Sequence, residues 1–302
     1  MQRVFLALAA TGAIFAASQL CAQAAPASTT SRYMATTNYN TLYNEGCSMG
    51  TAGLSGIVIL DYGQPWTSGS TQGTYDYGST FVSDSAIVSA AEGFLDGFWN
   101  CSGSSPQLRL AIGTSNYGSQ VTNAAGQAWG SAVNTLNNYI SSKGYSSQEH
   151  ARGAIDAEPG WDTEFSRTSS WVDGYNATTS TPLYDYGSAD ACPYSGYNGN
   201  CDGWGQHGLW YVSWGNTDGY PVPEIYQWSM ADQWYYESVY SSTSESNGRL
   251  GFLGTMTQYA ACGCGSSTYT PAQGFDTLQN LINGDSRTSY TMSYSTDITW
   301  AN

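Results

Sequence analysis

Charged residues are scarce in this 302-residue chain, and basic residues are the scarcest. Lys and Arg together number 8 against 23 Asp and Glu, so the formal net charge is -15, and charged residues make up 10% of the chain. Ordinary globular proteins carry about 25%. So few cations cannot line a phosphate backbone, and we therefore expect no nucleic-acid partner. Hydrophobic residues make up 41%, which is enough for a core and excludes a disordered chain.

Long apolar runs are also scarce. Beyond a run over residues 4–17, no stretch of the chain approaches the ~20 apolar residues of a transmembrane helix. Arg3 precedes that run, and Ala22-Gln23-Ala24 follows it with the spacing of a cleavage site. This pattern predicts a secretory signal peptide over residues 1–24. We expect a secreted, extracellular protein without a membrane span.

The chain has two histidines, His150 and His207, and they lie far apart in the sequence. A zinc site needs clustered ligands, and a nucleophilic Ser or Cys needs a neighbouring base. The segment 198–203 is similar to the start of a calcium-binding loop, but Leu209 stands where that loop needs a bidentate Glu. No phosphate-binding or dinucleotide-binding motif is present. We expect no metal and no cofactor.

The cysteines that follow the predicted leader indicate disulfides, because their number is even and the expected compartment is oxidising. They are Cys47, Cys101, Cys192, Cys201, Cys262 and Cys264. Six cysteines allow many pairings. The spacing favours one of them, Cys192 with Cys201, which would close a short loop rich in Gly and Asn.

Apolar runs bounded by turn residues predict eight strands. They cover residues 57–61, 108–113, 151–158, 183–186, 209–214, 223–227, 250–257 and 290–294. Most are almost continuously apolar, which is typical of strands buried on both faces. Helical periodicity fills several intervals, with Ser83 and Thr270 as N-caps and with Gly144 and Gly284 ending two of the helices. Two further helices are predicted near residues 162–175 and 230–240.

Alternation of buried strands with amphipathic helices favours an α/β fold, a (β/α)8 TIM-like barrel with disulfides. The barrel would be imperfect, because residues 215–222 are too few for a helix between the fifth and sixth strands. No linker divides the chain. We therefore expect an N-terminal extension over residues 25–50 and one barrel domain over residues 51–302. The sequence does not indicate an oligomeric state.

Acidic residues end three of the predicted strands, and in such a barrel these ends form the active face. Asp61 ends the first, Asp156 and Glu158 the third and Asp185 the fourth. Residues two apart in a strand point the same way, about 6–7 Å apart, and two close carboxyls raise each other's pKa. A protonated acid can then protonate a leaving glycosidic oxygen, while a carboxylate stabilises charge at the anomeric carbon. Glu158 is the better donor because it lies nearer the rim.

Structural alternatives exist for several of these residues. An Asp after a strand commonly caps the next turn, which applies to Asp61 and Asp185. Glu224 follows Pro223 at the start of its predicted strand, so the sequence does not decide at which end of the barrel it lies. Aromatic ring faces can stack on sugars, although most aromatic side chains belong to the core. The substrate-binding candidates are Asp185, Tyr62, Trp161, Trp214, Tyr226, Gln227 and Trp228.

The Asp that ends the first predicted strand, the D-x-E pair and the acidic, aromatic-rich secreted chain together resemble TIM barrels of the glycoside hydrolase superfamily. The resemblance is to Chalaropsis-type lysozymes and related secreted glycoside-hydrolase-like barrels, and it spans residues 56–228. It implies hydrolysis of the β-1,4 bond of peptidoglycan. Asp61 matches the first-strand Asp, and Asp156 and Glu158 match the D-x-E pair, whose Glu is the acid. No residue matches the second Asp of the lysozyme site.

Two functions are therefore predicted. The first is a secreted glycoside hydrolase that acts on cell-wall or other polysaccharide, with Glu158, Asp156 and Asp61 as catalytic residues. The second is a catalytically inactive barrel that binds glycans or a surface partner.

Overall fold

The computed structural model describes residues 24–161, 164–194 and 199–301. The predicted signal peptide lies outside the described residues apart from its last residue, Ala24. The described chain is a mixed α/β structure with one parallel sheet of eight strands and one antiparallel sheet of three. None of its helices is long and apolar enough to cross a membrane.

The described residues form eleven strands and eight α-helices. The strands are β1 (Thr29–Tyr33), β2 (Gly56–Asp61), β3 (Gln64–Ser68), β4 (Thr71–Tyr75), β5 (Phe81–Ser83), β6 (Leu108–Ser115), β7 (Glu149–Asp156), β8 (Leu183–Asp185), β9 (Gly219–Pro221), β10 (Gly254–Thr257) and β11 (Tyr294–Trp300). The helices are α1 (Tyr39–Thr51), α2 (Asp84–Cys101), α3 (Asn123–Lys143), α4 (Phe165–Thr178), α5 (Gly205–Trp210), α6 (Trp228–Ser244), α7 (Tyr259–Cys262) and α8 (Pro271–Asn283). A π-helical turn, Tyr211–Gly215, continues α5.

The large sheet is a nearly closed barrel. Its strand order is β10-β11-β1-β2-β6-β7-β8-β9, and every neighbouring pair is parallel. The gap between its two ends is bridged by backbone hydrogen bonds, from Leu253 N to Pro221 O (3.0 Å) and from Ile225 N to Met256 O (2.8 Å). The strands β3, β4 and β5 form the separate antiparallel sheet, inserted between β2 and α2.

Side-chain alternation along the barrel strands separates two apolar layers. On β2, Ile57 and Ile59 pack inside the barrel with residues such as Ala154 and Met256. Their neighbours Val58 and Leu60 belong to the larger core between sheet and helices. Because side chains repeat every second residue, Asp61 continues the inward face of β2, and Asp156 continues that of Ala154. The pleat of the strands therefore aims both acids into the mouth of the barrel.

The predicted helix ends are confirmed where capping chemistry specified them. The hydroxyl of Ser83 accepts from Ala86 N at the start of α2, and Thr270 forms a capping box with Gln273 at the start of α8. Gly144 ends α3 in the left-handed conformation, with φ of 77°. These caps satisfy backbone groups that a helix terminus leaves unpaired, so a local pattern was sufficient to place them.

Helices α2 and α3 are joined to α1 by a carboxylate. The carboxylate of Asp96 on α2 accepts hydrogen bonds from three tyrosine hydroxyls, those of Tyr39, Tyr139 and Tyr145, at 2.5, 2.8 and 3.0 Å. Burial alone would raise the pKa of Asp96, but the three hydroxyls and Lys143 lower it below its usual value. This cluster ties the outer helices together on one side of the barrel.

Three predicted strands are corrected, and one of them, residues 290–294, overlaps β11 only at Tyr294. Residues 209–214 belong to α5 and the π-helical turn, and residues 223–227 contribute a single bridge, Glu224 to Met256. A short, continuously apolar run has the same appearance in a buried helix as in a buried strand. The strand in this region is β9, which lies within the short interval of residues 215–222. Its pairing with β8 is parallel.

The barrel also begins earlier than the sequence indicated. The segment 25–50, expected to be an extension, contains β1 and most of α1. Strand β1 lacks an apolar pattern because its buried residues are polar: Ser31 Oγ contacts Thr296 Oγ1 (2.7 Å) and accepts from Ile59 N (2.8 Å). Strand β2 is therefore the second strand of the barrel, and β7, which carries Asp156, is the fourth.

Three cysteine pairs lie at disulfide distance. The predicted pairing of Cys192 with Cys201 is confirmed. Cys47 on α1 pairs with Cys101 at the end of α2, and Cys262 pairs with Cys264. The first of these two links distant parts of the sequence, so spacing alone could not have indicated it.

Candidate active site

A cleft of 380 Å³ opens where the barrel strands end. Its residues come from the ends of β1, β7 and β11, from the segments after β7, β9 and β10, and from the loop between β4 and β5. The residues that line it are Tyr33, Tyr77, Asp156, Glu158, Trp161, Glu224, Tyr226, Gln258 and Trp300. We call this cavity the carboxylate cleft.

Three carboxyl groups meet in the carboxylate cleft. Asp156, Glu158 and Glu224 each place an oxygen within 4.8 Å of the others. Asp156 is the last residue of β7 and is 3% exposed, and Glu224, after β9, is 5% exposed. Glu158 is half-buried and precedes the 3-10 turn Pro159–Trp161. The predicted pair is thus brought together, and a third acid joins it.

Asn116 fixes the backbone that carries Glu158. Its side-chain oxygen accepts from Glu158 N (3.0 Å), and its side-chain nitrogen donates to Glu158 O (2.9 Å). Its own backbone N–H donates to Asp156 O at 3.1 Å. Asn116 directly follows β6, so the neighbouring strand clamps the segment from Asp156 to Glu158. No local pattern in the sequence indicates this role of Asn116, because the contact depends on the register of β6 against β7.

Burial and nearby negative charges raise the pKa values of all three acids. Burial raises the pKa of Glu158 to about 7, with further raising by Asp190 and Asp185 and opposition from hydrogen bonds with Ser188 and Glu224. Burial also raises the pKa of Asp156 well above its usual value, and so do the charges of Glu224 and Glu158. The pKa of Glu224 is raised well above its usual value by burial and by Glu158, against a hydrogen bond from Tyr226.

The cluster can therefore hold protons near neutral pH and exchange them. Asp156 Oδ1 has no hydrogen-bond partner among the described residues, so its anion is poorly stabilised and it stays protonated. Glu224 accepts from the Tyr226 hydroxyl, and a hydrogen bond joins it to Glu158. A carboxylic acid beside a carboxylate is the arrangement that general acid catalysis uses.

Asp61 and Asp185 are fully buried and do not line the carboxylate cleft. Each accepts from the backbone N–H two residues on, at Gly63 (2.9 Å) and Gly187 (3.1 Å). These are the hydrogen bonds expected of an Asp that follows a strand and caps the next turn. Asp185 also accepts from Ser213 Oγ at 2.5 Å. Burial raises the pKa of each to about 6.

Asp61 reaches the cleft indirectly, through a tyrosine that lines it. Its second oxygen accepts from the Tyr77 hydroxyl at 2.7 Å. The Tyr77 ring packs against Tyr33 and Trp300, with centroids 5.0 and 5.7 Å away. Asp61 thus positions one of the three rings that form an aromatic wall of the cleft.

The predicted substrate-binding residues divide into two groups. Trp161 and Tyr226 line the carboxylate cleft, whereas Asp185, Tyr62, Trp214, Gln227 and Trp228 do not. Tyr62 points to the opposite side of β2 from Asp61 and is buried in the outer core. Trp214 packs on Tyr220, with ring centroids 5.7 Å apart. Gln227 and Trp228 are exposed at the start of α6.

Five lining residues were not predicted as site residues: Tyr33, Tyr77, Glu224, Gln258 and Trp300. A signal existed for Glu224, because Glu224 and Tyr226 repeat the two-residue spacing of Asp156 and Glu158. Tyr33 and Trp300 are register partners across β1 and β11. Only closure of the barrel brings residues so far apart in sequence together.

Among the described residues of the cleft, the same three acids could hold a cation, because hard cations such as Ca²⁺ prefer oxygen ligands. A second cluster joins Glu237 to Cys192 and Cys201, but those sulfurs form the disulfide and are not available as thiolate ligands.

Comparison of the sequence with protein-family models and with characterised proteins finds no match to either.

Proposed function

We propose that the protein is a secreted barrel of the (β/α)8 TIM type, with the imperfection confined to short strands such as β8 and β9. Helices fall between successive strands of the large sheet, which supports this architecture. The three cysteine pairs support an oxidising compartment, as the predicted signal peptide would require. In such barrels the active site lies at the carboxyl ends of the strands, where the carboxylate cleft opens.

We propose that the protein is a glycoside hydrolase. The observation that carries this proposal is the cluster of Asp156, Glu158 and Glu224 in an open cleft with aromatic walls. Three acids placed together without a cation among the described lining residues cost folding free energy. Glycoside hydrolysis uses such a pair of carboxyls, and aromatic rings present the apolar faces on which sugar rings stack.

In the proposed reaction, Glu158 gives its proton to the glycosidic oxygen as the bond from that oxygen to the anomeric carbon breaks. The carboxylate of Glu224, which accepts a hydrogen bond from the Tyr226 hydroxyl, attacks the anomeric carbon to form a glycosyl ester. Glu158, now ionised, takes a proton from water, whose oxygen displaces Glu224. The oxygens of these carboxyls lie within 4.8 Å of one another, closer than the about 6.5–9.5 Å that inverting enzymes leave for a water, which favours this retaining course. Burial and the charge of Asp190 keep the pKa of Glu158 high.

The test is Glu158→Gln in the mature protein. We expect release of reducing ends from the polysaccharide that the wild type cleaves to fall at least about 1,000-fold, without a decrease in melting temperature. Glu164→Gln, an exposed position outside the cleft, is the matched control. Full activity of Glu158→Gln would refute the proposal.

The second candidate is a barrel that binds glycans without cleaving them. The exposed aromatic residues at the cleft, Trp161 and Trp300, favour it because stacking needs no catalytic acid. Binding of chitin, plant glucans or peptidoglycan without any new reducing ends would favour this candidate over the hydrolase.

A further inference from the structure

A second cavity of 320 Å³ adjoins the carboxylate cleft. It is lined by Gly63, Gln64, Tyr75, Tyr77, Ser115, Tyr117 and Trp161. Tyr77 and Trp161 line both cavities, so the two lie side by side at the barrel mouth and share these rings. We call the second cavity the hairpin pocket, because its residues Gln64 and Tyr75 are register partners on the hairpin of β3 and β4.

The hairpin pocket is held in place by hydrogen bonds to the barrel. Gly63 O accepts from Ser115 N (2.8 Å) and from Thr114 Oγ1 (2.8 Å). Gly63 has φ of +78°, a conformation that favours glycine, and it turns the chain from β2 into the hairpin. Tyr77 is fixed at both its hydroxyl, by Asp61, and its backbone, by Met34 O (3.0 Å). The wall is therefore built before any ligand binds.

The outer rim of the hairpin pocket is aromatic and exposed. Tyr117 is 56% exposed, and its ring meets Trp161 edge-on with centroids 6.1 Å apart. Tyr75 is also exposed, and its ring lies against Trp66 at 5.7 Å. Gln64 and Ser115 add neutral hydrogen-bonding groups. This combination of ring faces and uncharged polar groups suits a sugar ring, which has apolar faces and hydroxyl edges.

Neither cavity offers a cation to a negatively charged ligand. Among the described residues that line them, none is Lys, Arg or His, and three are acids. Three arginines of the described chain lie on barrel strands. Arg109 and Arg152 lie in the amino-terminal halves of β6 and β7, and Arg32 on β1 is paired with Glu45 on α1 at 3.0 Å and lines neither cavity. Because the chain has a formal net charge of -15, a polyanion would be repelled as it approaches, and its charges would meet no cationic side chain among the described lining residues.

We propose that the hairpin pocket is a second sugar-binding subsite, and that the chain spanning both cavities is an uncharged polysaccharide. This inference rests on the proposed function, in that the bond cleaved is the one held over Glu158. It favours neutral glucans, xylans, mannans or chitin over polymers that carry carboxylates, including peptidoglycan with its lactyl and peptide acids.

The first experiment measures binding to the inactive Glu158→Gln protein by titration calorimetry. The probes are cellohexaose, xylohexaose, mannohexaose and chitohexaose, with the matching disaccharides. We expect at least one hexaose to bind more tightly than its disaccharide. Adding Tyr117→Ala should weaken the hexaose roughly tenfold, the effect of removing one well-packed aromatic, and leave the disaccharide unchanged. Trp228→Ala, 54% exposed and outside both cavities, is the control.

The outcomes separate the subsite from the catalytic proposal. If Tyr117→Ala changes hexaose binding no more than Trp228→Ala does, or if no hexaose binds at millimolar concentration, the subsite is refuted even where the wild type cleaves polymer. If the hexaose binds through Tyr117 but the wild type releases no reducing ends, the subsite stands and the hydrolase proposal fails.

The second experiment tests the charge of the substrate on one backbone. Hydroxyethyl cellulose and carboxymethyl cellulose share the β-1,4-glucan chain and differ in the charge of the substituent, and glycol chitin against peptidoglycan makes a second comparison. We expect the neutral member of the accepted pair to be bound at least about tenfold more tightly at low salt, with the difference shrinking as salt is added. Equal or tighter binding of the anionic member would overturn the inference.

Discussion

The charge of Asp190 sets part of the proton affinity of Glu158, and removing it gives a sharp test of the proposed acid. Burial is the largest cause of the raised pKa of Glu158, about 7, and Asp190 is the largest contribution from a charge. Asp190 is exposed and contacts its own neighbour, Ala191 N, at 3.0 Å. Asp190→Asn keeps the shape and that acceptor, so stability should not change.

The expected shift follows from the size of a screened charge interaction. Two unit charges several ångströms apart at a wet surface interact by on the order of 1 kcal/mol, and one pKa unit corresponds to about 1.4 kcal/mol. Asp190→Asn should therefore lower the pKa of Glu158 by about half a unit to one unit. Because an acid catalyst must be protonated, activity is lost as pH rises through this pKa, and the basic limb should move to lower pH by that amount.

The assay is the pH dependence of kcat/KM for release of reducing ends, with NMR titration of the Glu158 carboxyl as a readout that needs no substrate. Asp202→Asn is the matched control, because the carboxylates of Asp190 and Asp202 both flank Gly160 but, of the two, Asp190 is the one among the main causes of the raised pKa of Glu158. Ser188→Ala should move the limb the other way, since Ser188 hydrogen-bonds to Glu158. A limb that stays in place in Asp190→Asn, or moves equally in the control, would refute the reasoning.

Two further predictions concern stability and positioning. Asp96→Ala leaves three tyrosine hydroxyls without their acceptor and should lower the free energy of unfolding by about 2–4 kcal/mol. Because the pKa of Asp96 is lowered in the folded state, this loss of stability should be complete above about pH 4 and should shrink below it. Urea denaturation at several pH values measures the loss, and a loss that does not depend on pH would contradict the prediction. Asn116→Ala releases the backbone of Glu158 and should lower kcat about 10- to 100-fold with little change in KM. Asn134→Ala, outside the cleft, is the control. A variant that changes KM alone, or an equal decrease in kcat in the control, would count against a positioning role for Asn116.

The helices were predictable because their signals are local. A side-chain cap such as Ser83 or Thr270 acts on backbone groups within one turn, and the amphipathic stripe repeats within the same segment. Strands β1 and β9 carried no such signal. The buried residues of β1 are hydroxyls whose partners lie on β2 and β11, and β9 is only three residues long. Their identity as strands depends on pairing across the barrel.

Only the site residues that are close in sequence could be predicted to lie together. Asp156 and Glu158 share a strand end, so their spacing predicted that they would face one cavity, and the structure brings them within 4.8 Å. Glu224 joins them because β9 ends beside β8 and the chain then bridges to Met256, which no local pattern encodes. The side of Tyr62 could have been predicted from alternation, since it is adjacent to the inward-facing Asp61.

If the three carboxyls of the cleft serve catalysis, they should lower the free energy of unfolding, and Asp156 is the residue at which this decrease is most readily measured. Its Oδ1 has no hydrogen-bond partner among the described residues, and burial with the neighbouring acids raises its pKa well above the usual value. The folded state therefore binds a proton that the unfolded state releases above about pH 4, so folding is weakened as pH rises. Asp156→Asn removes that titration. Relative to the wild type, its free energy of unfolding should be equal near pH 3 and higher by about 1–2 kcal/mol at pH 8, measured by urea denaturation with a chelator present, while reducing-end release falls. A variant that is less stable than the wild type at pH 8, with the difference growing when Ca²⁺ is added, would instead show that the three carboxylates hold a cation, and the acid-catalysis argument would fail.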